Sequence, residues 1–136
     1  MNQSLPAKLP VSVLLVEDDD DIRSELYQIL SRQVETVVAA HNGANGLEKY
    51  FSTSPDIIIT DIKMPIMDGL TMAKKIRNND SNVQMIFMSA FNNKENVEAI
   101  MKIGVTSFVL KPVTYESFCT ALKQSAELVV MERETQ

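Results

Sequence analysis

The stretch VLLVEDDDDIR, residues 13–23, runs four apolar residues straight into five consecutive carboxylates, Glu17, Asp18, Asp19, Asp20 and Asp21. Five like charges in a row ordinarily mark a solvated or disordered tail, because adjacent carboxylates repel and an unneutralised one is costly to bury. Here the block hangs on an apolar run that reads as a strand covered on both faces. The 136-residue chain has a formal net charge of −5, as much as the block itself carries, so the remainder balances. The acidity is local, and at the end of a buried strand it points to a site.

Outward from that strand, short β-branched runs alternate with amphipathic segments of helical length, the pattern of βα units around a parallel sheet. Strands are expected at 12–16, 35–40 and 56–61, then in VQMIFMSA (83–90) and TSFVLKP (106–112). The helices between them turn inward Ile22, Leu26, Ile29 and Leu30, then Leu47, Tyr50 and Phe51, then Leu70, Ala73 and Ile76. The third helix is expected from Asp68 or Gly69 to about Asn78. Asn92 or Asn93 is the expected cap of the fourth, which Gly104 stops, and Thr114 that of the fifth. The fifth helix is expected to reach about Glu132, roughly 18 residues and about 27 Å, and its consecutive Leu128, Val129, Val130 and Met131 cannot all face one way. Residues 1–10, with Pro6 and Pro10, read as a flexible lead-in. The folded domain spans 11–126, and 127–136 is an extension of the last helix, a candidate linker to an output domain. The fold class is α/β, a doubly wound five-stranded parallel sheet with helices on both faces.

Several function classes drop out. Lysines and arginines are scattered and balanced by acids, so no basic face for nucleic acid is expected. The one cysteine, Cys119, excludes an internal disulfide and fits a reducing compartment. No apolar run approaches 18 residues and the polar start carries no signal segment, which makes the cytoplasm the expected location and a membrane partner unexpected.

In open parallel sheets, ligands bind outside the carboxyl ends of the strands. Those ends carry Glu17 and Asp18, Asp61, Ser89 and Lys111. If the first and third strands are neighbours, three carboxylates converge, which requires a hard cation; oxygen ligands suit Mg²⁺. A metal, an ammonium and a hydroxyl around a central carboxylate make a cradle for a phosphoryl group. Carboxylates can be nucleophiles that form aspartyl phosphates, and central Asp61 is the candidate.

VLLVEDD, DIIITDIKMPIMDG, IFMSA and FVLKP, in this order and spacing, resemble the receiver domain of two-component response regulators across most of the chain. The resemblance implies a flavodoxin-like sheet of order 2-1-3-4-5 and a phosphoacceptor signalling switch. Asp61 would accept a phosphoryl group from the phosphohistidine of a sensor histidine kinase or phosphotransfer protein. Asp18 and Asp61 would ligate Mg²⁺ directly, Glu17 directly or through water, and Lys63 through its backbone carbonyl. Ser89 and Lys111 would stabilise the phosphoryl group, Ser89 and Phe108 would act as the switch, and the bond before Pro112 would be cis. Adding about −1.5 to −2 charge units would shift the face made by the fourth helix, fifth strand and fifth helix, the surface for a downstream target, a fused output domain or a homodimer contact. Turnover would be limited to phosphorylation from donors and slow self-dephosphorylation. The chain reads either as a stand-alone regulator or as the receiver segment of a hybrid kinase or multidomain regulator.

Where many receivers carry tyrosine this chain has Phe108, which leaves aromatic packing but no phenolic hydroxyl. VTSF lacks the paired acids of many winged-helix regulators, which argues against their style of dimer. Lys63 and Phe91 sit where the family modulates dephosphorylation. Asp19, Asp20 and Asp21 read as the acidic start of the first helix, with Asp20 its cap, so Glu17 and Asp18 should face Asp61 and Asp20 and Asp21 should not. His41 reads as a surface residue, Cys119 as structural, and most methionines as core. A Mg²⁺-dependent aspartyl-phosphate hydrolase competes with the switch, but the second carboxylate of its D-x-D pattern is replaced by Lys63. A pseudo-receiver acting only as an interaction module is opposed by the intact Glu17, Asp18, Asp61, Ser89 and Lys111 set.

Overall fold

The β-branched runs form five strands, β1 (Leu9–Val16), β2 (Val34–Ala40), β3 (Ile57–Asp61), β4 (Gln84–Ser89) and β5 (Ser107–Leu110). Between and after them lie α1 (Asp20–Gln33), α2 (Gly43–Thr53), α3 (Gly69–Asn79), α4 (Lys94–Lys102) and α5 (Tyr115–Glu134). This computed structural model describes residues 7–90, 94–105 and 107–135. The strands make one sheet of order β2-β1-β3-β4-β5, and every neighbouring pair is parallel.

Each strand feeds two cores because alternate side chains point to opposite faces. Val13, Leu15, Ile57, Ile59 and Met88 pack with Leu26 and Leu30 of α1 and Phe118 and Leu122 of α5. Leu14, Val16, Ile58 and Phe87 pack on the other face with Tyr50 of α2, Met72 and Ile76 of α3 and Ile100 of α4. All five residues of β3 are buried, which is why its sequence is apolar without alternation up to Thr60. That places Asp61, the last residue of the most enclosed strand, on a rigid support.

Several boundaries differ from expectation. β1 begins at Leu9, inside the segment read as lead-in: Leu9 pairs with Val34, and the register shifts before Ser12. The irregularity accommodates Pro10, which has no N–H for the ladder. The cap of α1 is Asp19, whose Oδ1 accepts the Ile22 N–H at 3.0 Å; Asp20 instead pairs with Arg23 at 2.6 Å. Phe51 is 59% exposed and makes a T-shaped ring contact with Tyr50, with centroids 5.1 Å apart. Leu70 is half-buried, while Met72 takes a place on the inward stripe of α3. Phe91, Asn92 and Asn93 lie outside the described residues.

Thr114 caps α5, as the sequence suggested, and Asp68, one of the two expected starts of α3, is its cap. α5 runs on to Glu134, with Val129 buried while Leu128 and Met131 face outward. Its last turn is tied to the sheet: Arg133 donates to the Pro10 carbonyl at 2.7 Å and to Asp56 at 2.9 Å. Among the described residues no helix is long and apolar enough to cross a membrane.

Candidate functional site

The pairing of β1 with β3 brings their carboxyl ends side by side, with Val16 opposite Thr60. The next residues on each chain are Glu17 and Asp61, both buried, and beyond Glu17 lies exposed Asp18. One carboxylate oxygen from each of Glu17, Asp18 and Asp61 falls within 4.8 Å of the others. The expected separation of the acidic block follows: neither Asp20 nor Asp21 joins this cluster, and both are exposed.

Lys111, just past the end of β5, donates to Asp61 Oδ2, and its Nζ lies 4.0 Å from Glu17 Oε1. Its backbone N–H holds the Ser89 carbonyl at 2.7 Å, which fixes the two strand ends that flank the pocket. The Lys111–Pro112 peptide is cis. Asp61 Oδ1 accepts the Ile62 N–H at 2.8 Å. A cavity of about 280 Å³ opens here, lined by Asp61, Ile62, Lys63, Ser89, Ala90, Asn96 and Lys111. Ser89 and Lys63 thus line the same cavity as Asp61. Phe108 does not line this cavity; it is half-buried, packs on the α2–α4 side of the sheet and edges a groove between β5 and α5.

The electrostatics are those of an under-neutralised acidic pocket. Burial pushes the Glu17 carboxyl up to about 7, against the Asp19 N–H that favours the anion, and the Asp61 charge adds to the rise. Burial pulls the Lys111 ammonium down, but its hydrogen bond to Asp61 and the charges of Asp61, Glu17 and Asp18 outweigh this and leave it raised. Glu17 Oε2 accepts the Asp19 N–H at 3.0 Å, whereas buried Oε1 has no hydrogen-bond partner. A buried carboxylate oxygen without a donor is costly, and one aimed into a three-carboxylate cluster suits a hard divalent cation. The residues therefore fit Mg²⁺.

A pH prediction follows. In the metal-free protein, folded Glu17 keeps its proton up to about 7, against 4.5 in the unfolded chain. The folded state then binds more protons in that window, so this group's contribution to stability falls as pH rises through it. Glu17→Gln removes the term. The stability advantage of Glu17→Gln over wild type should grow by on the order of 2 kcal/mol between pH 5 and pH 8 in EDTA. Urea unfolding of both proteins checks this, and an advantage that shrinks with pH contradicts it.

Two contributors had no role in the sequence reading, and a third, Gly69, was read there only as a possible start of the third helix. Arg23 donates to the Glu17 carbonyl at 2.9 Å; its signal was a lone base two residues after the last of five acids. Asn96 comes to the cavity from the first turn of α4, a placement that helical periodicity does not reveal. Gly69 donates its N–H to the Ile62 carbonyl at 2.7 Å and closes the loop that follows Asp61.

The model of the response regulator receiver domain matches residues 13–123. The chemotaxis protein CheY of Bacillus subtilis is 33% identical over 114 residues, 83% of this chain and 95% of that protein. The nitrate/nitrite response regulator NarL of Escherichia coli is 32% identical over 127 residues, 90% of this chain. The chain spans 59% of the length of NarL and 26% of that of the E. coli regulatory protein AtoC. Among solved structures, the N-terminal domain of a Wolinella succinogenes protein superposes with a TM-score of 0.84 at 30% identity, covering 90% of this chain and 98% of that one. The CheX–CheY–BeF3–Mg²⁺ complex from Borrelia burgdorferi gives 0.78 at 28% identity, covering 85% and 89%. With a family match over most of the folded chain and acidic, hydroxyl and lysine groups at the same sheet edge, the chain belongs to the response regulator receiver domains, the signalling domains of two-component systems.

Proposed function

We propose that Asp61 is the phosphoacceptor, taking a phosphoryl group from a phosphohistidine on a sensor histidine kinase or phosphotransfer protein. The observation that carries this reading is the convergence of Glu17, Asp18 and Asp61 within 4.8 Å, with Lys111 bonded to the central member. The P–N bond of the donor breaks as an Asp61 oxygen bonds to phosphorus, and the imidazole nitrogen keeps the electron pair and takes up a proton. Asp61 is oriented by the Ile62 N–H on Oδ1, and Lys111 transfers its donors from Oδ2 to the incoming phosphoryl oxygens. Glu17, Asp18, Asp61 and the Lys63 backbone carbonyl would hold Mg²⁺, whose chemistry there would be to offset negative charge during the transfer. The relative from Borrelia burgdorferi, solved with BeF3 and Mg²⁺, supports this assignment.

Ser89 then donates its hydroxyl to a phosphoryl oxygen. Because β4 and β5 are in register, with Phe87 opposite Phe108 and Ser89 opposite Leu110, a change at Ser89 is felt along β5. Phe108, packed on the sheet but not sealed in, follows inward, and the population shifts toward a conformer with a different α4–β5–α5 face. That face meets a downstream target, a fused output domain or a second copy. The domain acts in the cytoplasm, where its buried free Cys119 is compatible with a reducing medium, either alone or within a larger regulator or hybrid kinase.

Incubation with Mg²⁺ and acetyl phosphate, followed by intact mass measurement, is expected to give an adduct of one phosphate that EDTA prevents. No adduct would leave only an interaction module, and continuous phosphate release in large excess would move the reading to a hydrolase.

A further inference from the structure

The cavity around Asp61 has walls of two kinds. Asp61, Ser89 and Lys111 reach it from the ends of β3, β4 and β5, and Ile62, Lys63 and Ala90 from the loops that follow β3 and β4. Among the described residues that line it, Asn96 is the one that a helix supplies. Asn96 and Ile100 are four residues apart and so lie on one face of α4. Ile100 is fully buried in the core shared with α2 and α3, and it is the one buried residue of the helix among those described. Just beyond it, the Ile103 carbonyl accepts the Arg77 Nε–H at 2.8 Å. The C-terminal end of α4 is thus fastened to the core, while its first turn brings a half-buried carboxamide to the cavity. That group is uncharged and offers two N–H donors and one acceptor oxygen.

We propose that Asn96 is a phosphoryl contact, its side-chain Nδ2 donating to an oxygen of the group carried by Asp61 and so tying the first turn of α4 directly to the phosphorylation state. The proposal rests on the phosphoacceptor reading of Asp61. It adds a second route to the one that runs from Ser89 along β5, because this contact crosses the cavity to α4 without passing through the sheet. The Asp61 carboxylate is already held by Lys111 and by the Ile62 N–H, so the charge that Asn96 answers to is the one that arrives with phosphate. A phosphoryl group brings three strong acceptor oxygens, and a hydrogen bond to a charged acceptor is about twice as strong as a neutral one. A bound group moves an equilibrium only through contacts that differ between the two states; a donor on the less anchored end of α4 is such a contact.

Beryllofluoride with Mg²⁺ serves as the phosphoryl stand-in, and backbone amide NMR of the full chain reads α4 and β5 separately. In the wild type its addition is expected to shift resonances across Lys94–Lys102 and Ser107–Leu110. In Asn96→Ala at saturating beryllofluoride, the α4 shifts should fall to about half or less of their wild-type size while those of β5 keep theirs. The midpoint for beryllofluoride should rise about fivefold. Asn96→Asp keeps the shape of the side chain but sets a carboxylate against the anion, so its midpoint should rise beyond that of Asn96→Ala. Wild-type α4 shifts in both variants overturn the contact. So does a loss that β5 shares in equal proportion, since α4 would then merely follow β5. A fall in Tm with the α4 response intact assigns Asn96 to helix stability alone and overturns it too. These outcomes bear on Asn96, whereas a wild type that neither responds to beryllofluoride nor takes phosphate from acetyl phosphate overturns the phosphoacceptor reading of Asp61.

Discussion

Asp61→Asn is expected to end phosphate incorporation from acetyl phosphate and from protein donors alike, while the protein stays folded. An amide oxygen at this position is a poor nucleophile, and the other carboxylates are committed elsewhere: Glu17 is buried with Oε2 on the Asp19 N–H, and Asp18 is exposed at the edge of the cluster. The substitution also takes one charge from a site of three carboxylates and one ammonium, so the midpoint of Mg²⁺ binding should rise at least tenfold. Since the Asp61 charge is one cause of the raised Glu17 carboxyl, Glu17 should release its proton at lower pH in the variant, a change readable by titration of its side-chain carbonyl resonance. Intact mass after incubation decides the main point. A phosphate adduct surviving in Asp61→Asn would transfer the acceptor role to another carboxylate, with exposed Asp18 the first to test.

The parts of this molecule that were legible in its sequence are those where one physical requirement acts alone. β3 is enclosed on both faces, so IIIT had to be apolar or β-branched throughout, and the carboxylate that ends it stood out. Glu17 and Asp18 were legible for the same reason, being the first charges after a buried strand. The cap of α1 was not: five adjacent carboxylates look alike to periodicity, and the choice of Asp19 depends on its extended backbone, with φ of −76° and ψ of 120°. Phe51 misled because hydrophobicity implied an inward face that α2 fills with Tyr50 and half-buried Leu47. The true start of β1 was hidden by Pro10, whose missing donor argued against a strand although its carbonyl still serves Arg133. The φ of +71° at Ile66 was invisible, since isoleucine is among the last residues that a positive φ would suggest.

The second large effect concerns a glycine. Gly69→Ala is expected to lower stability by about 3 kcal/mol or more, on the scale of a severe core overpacking. A Cβ at Gly69 would lie 1.9 Å from the Asp61 carbonyl oxygen, with Thr60 Oγ1 at 3.0 Å. The obstacle is backbone at the end of the most buried strand, so no flexible side chain can move aside. Relief requires either a shift of the first turn of α3, which would break the Gly69 N–H bond to the Ile62 carbonyl, or displacement of Asp61 itself. Gly104→Ala is the matched control: its φ is +82°, and an added Cβ meets nothing within 4 Å, so its cost is the left-handed backbone alone, about 1 kcal/mol. Urea unfolding of the two variants should therefore separate crowding from conformation. Gly69→Ala molecules that remain folded should also take phosphate from acetyl phosphate more slowly, because the nucleophile and the loop carrying Lys63 move together, while Gly104→Ala should react as wild type. Equal destabilisation by the two substitutions would mean that the α3 turn yields without disturbing Asp61, and the close packing of this glycine would then have no part in holding that carboxylate in place.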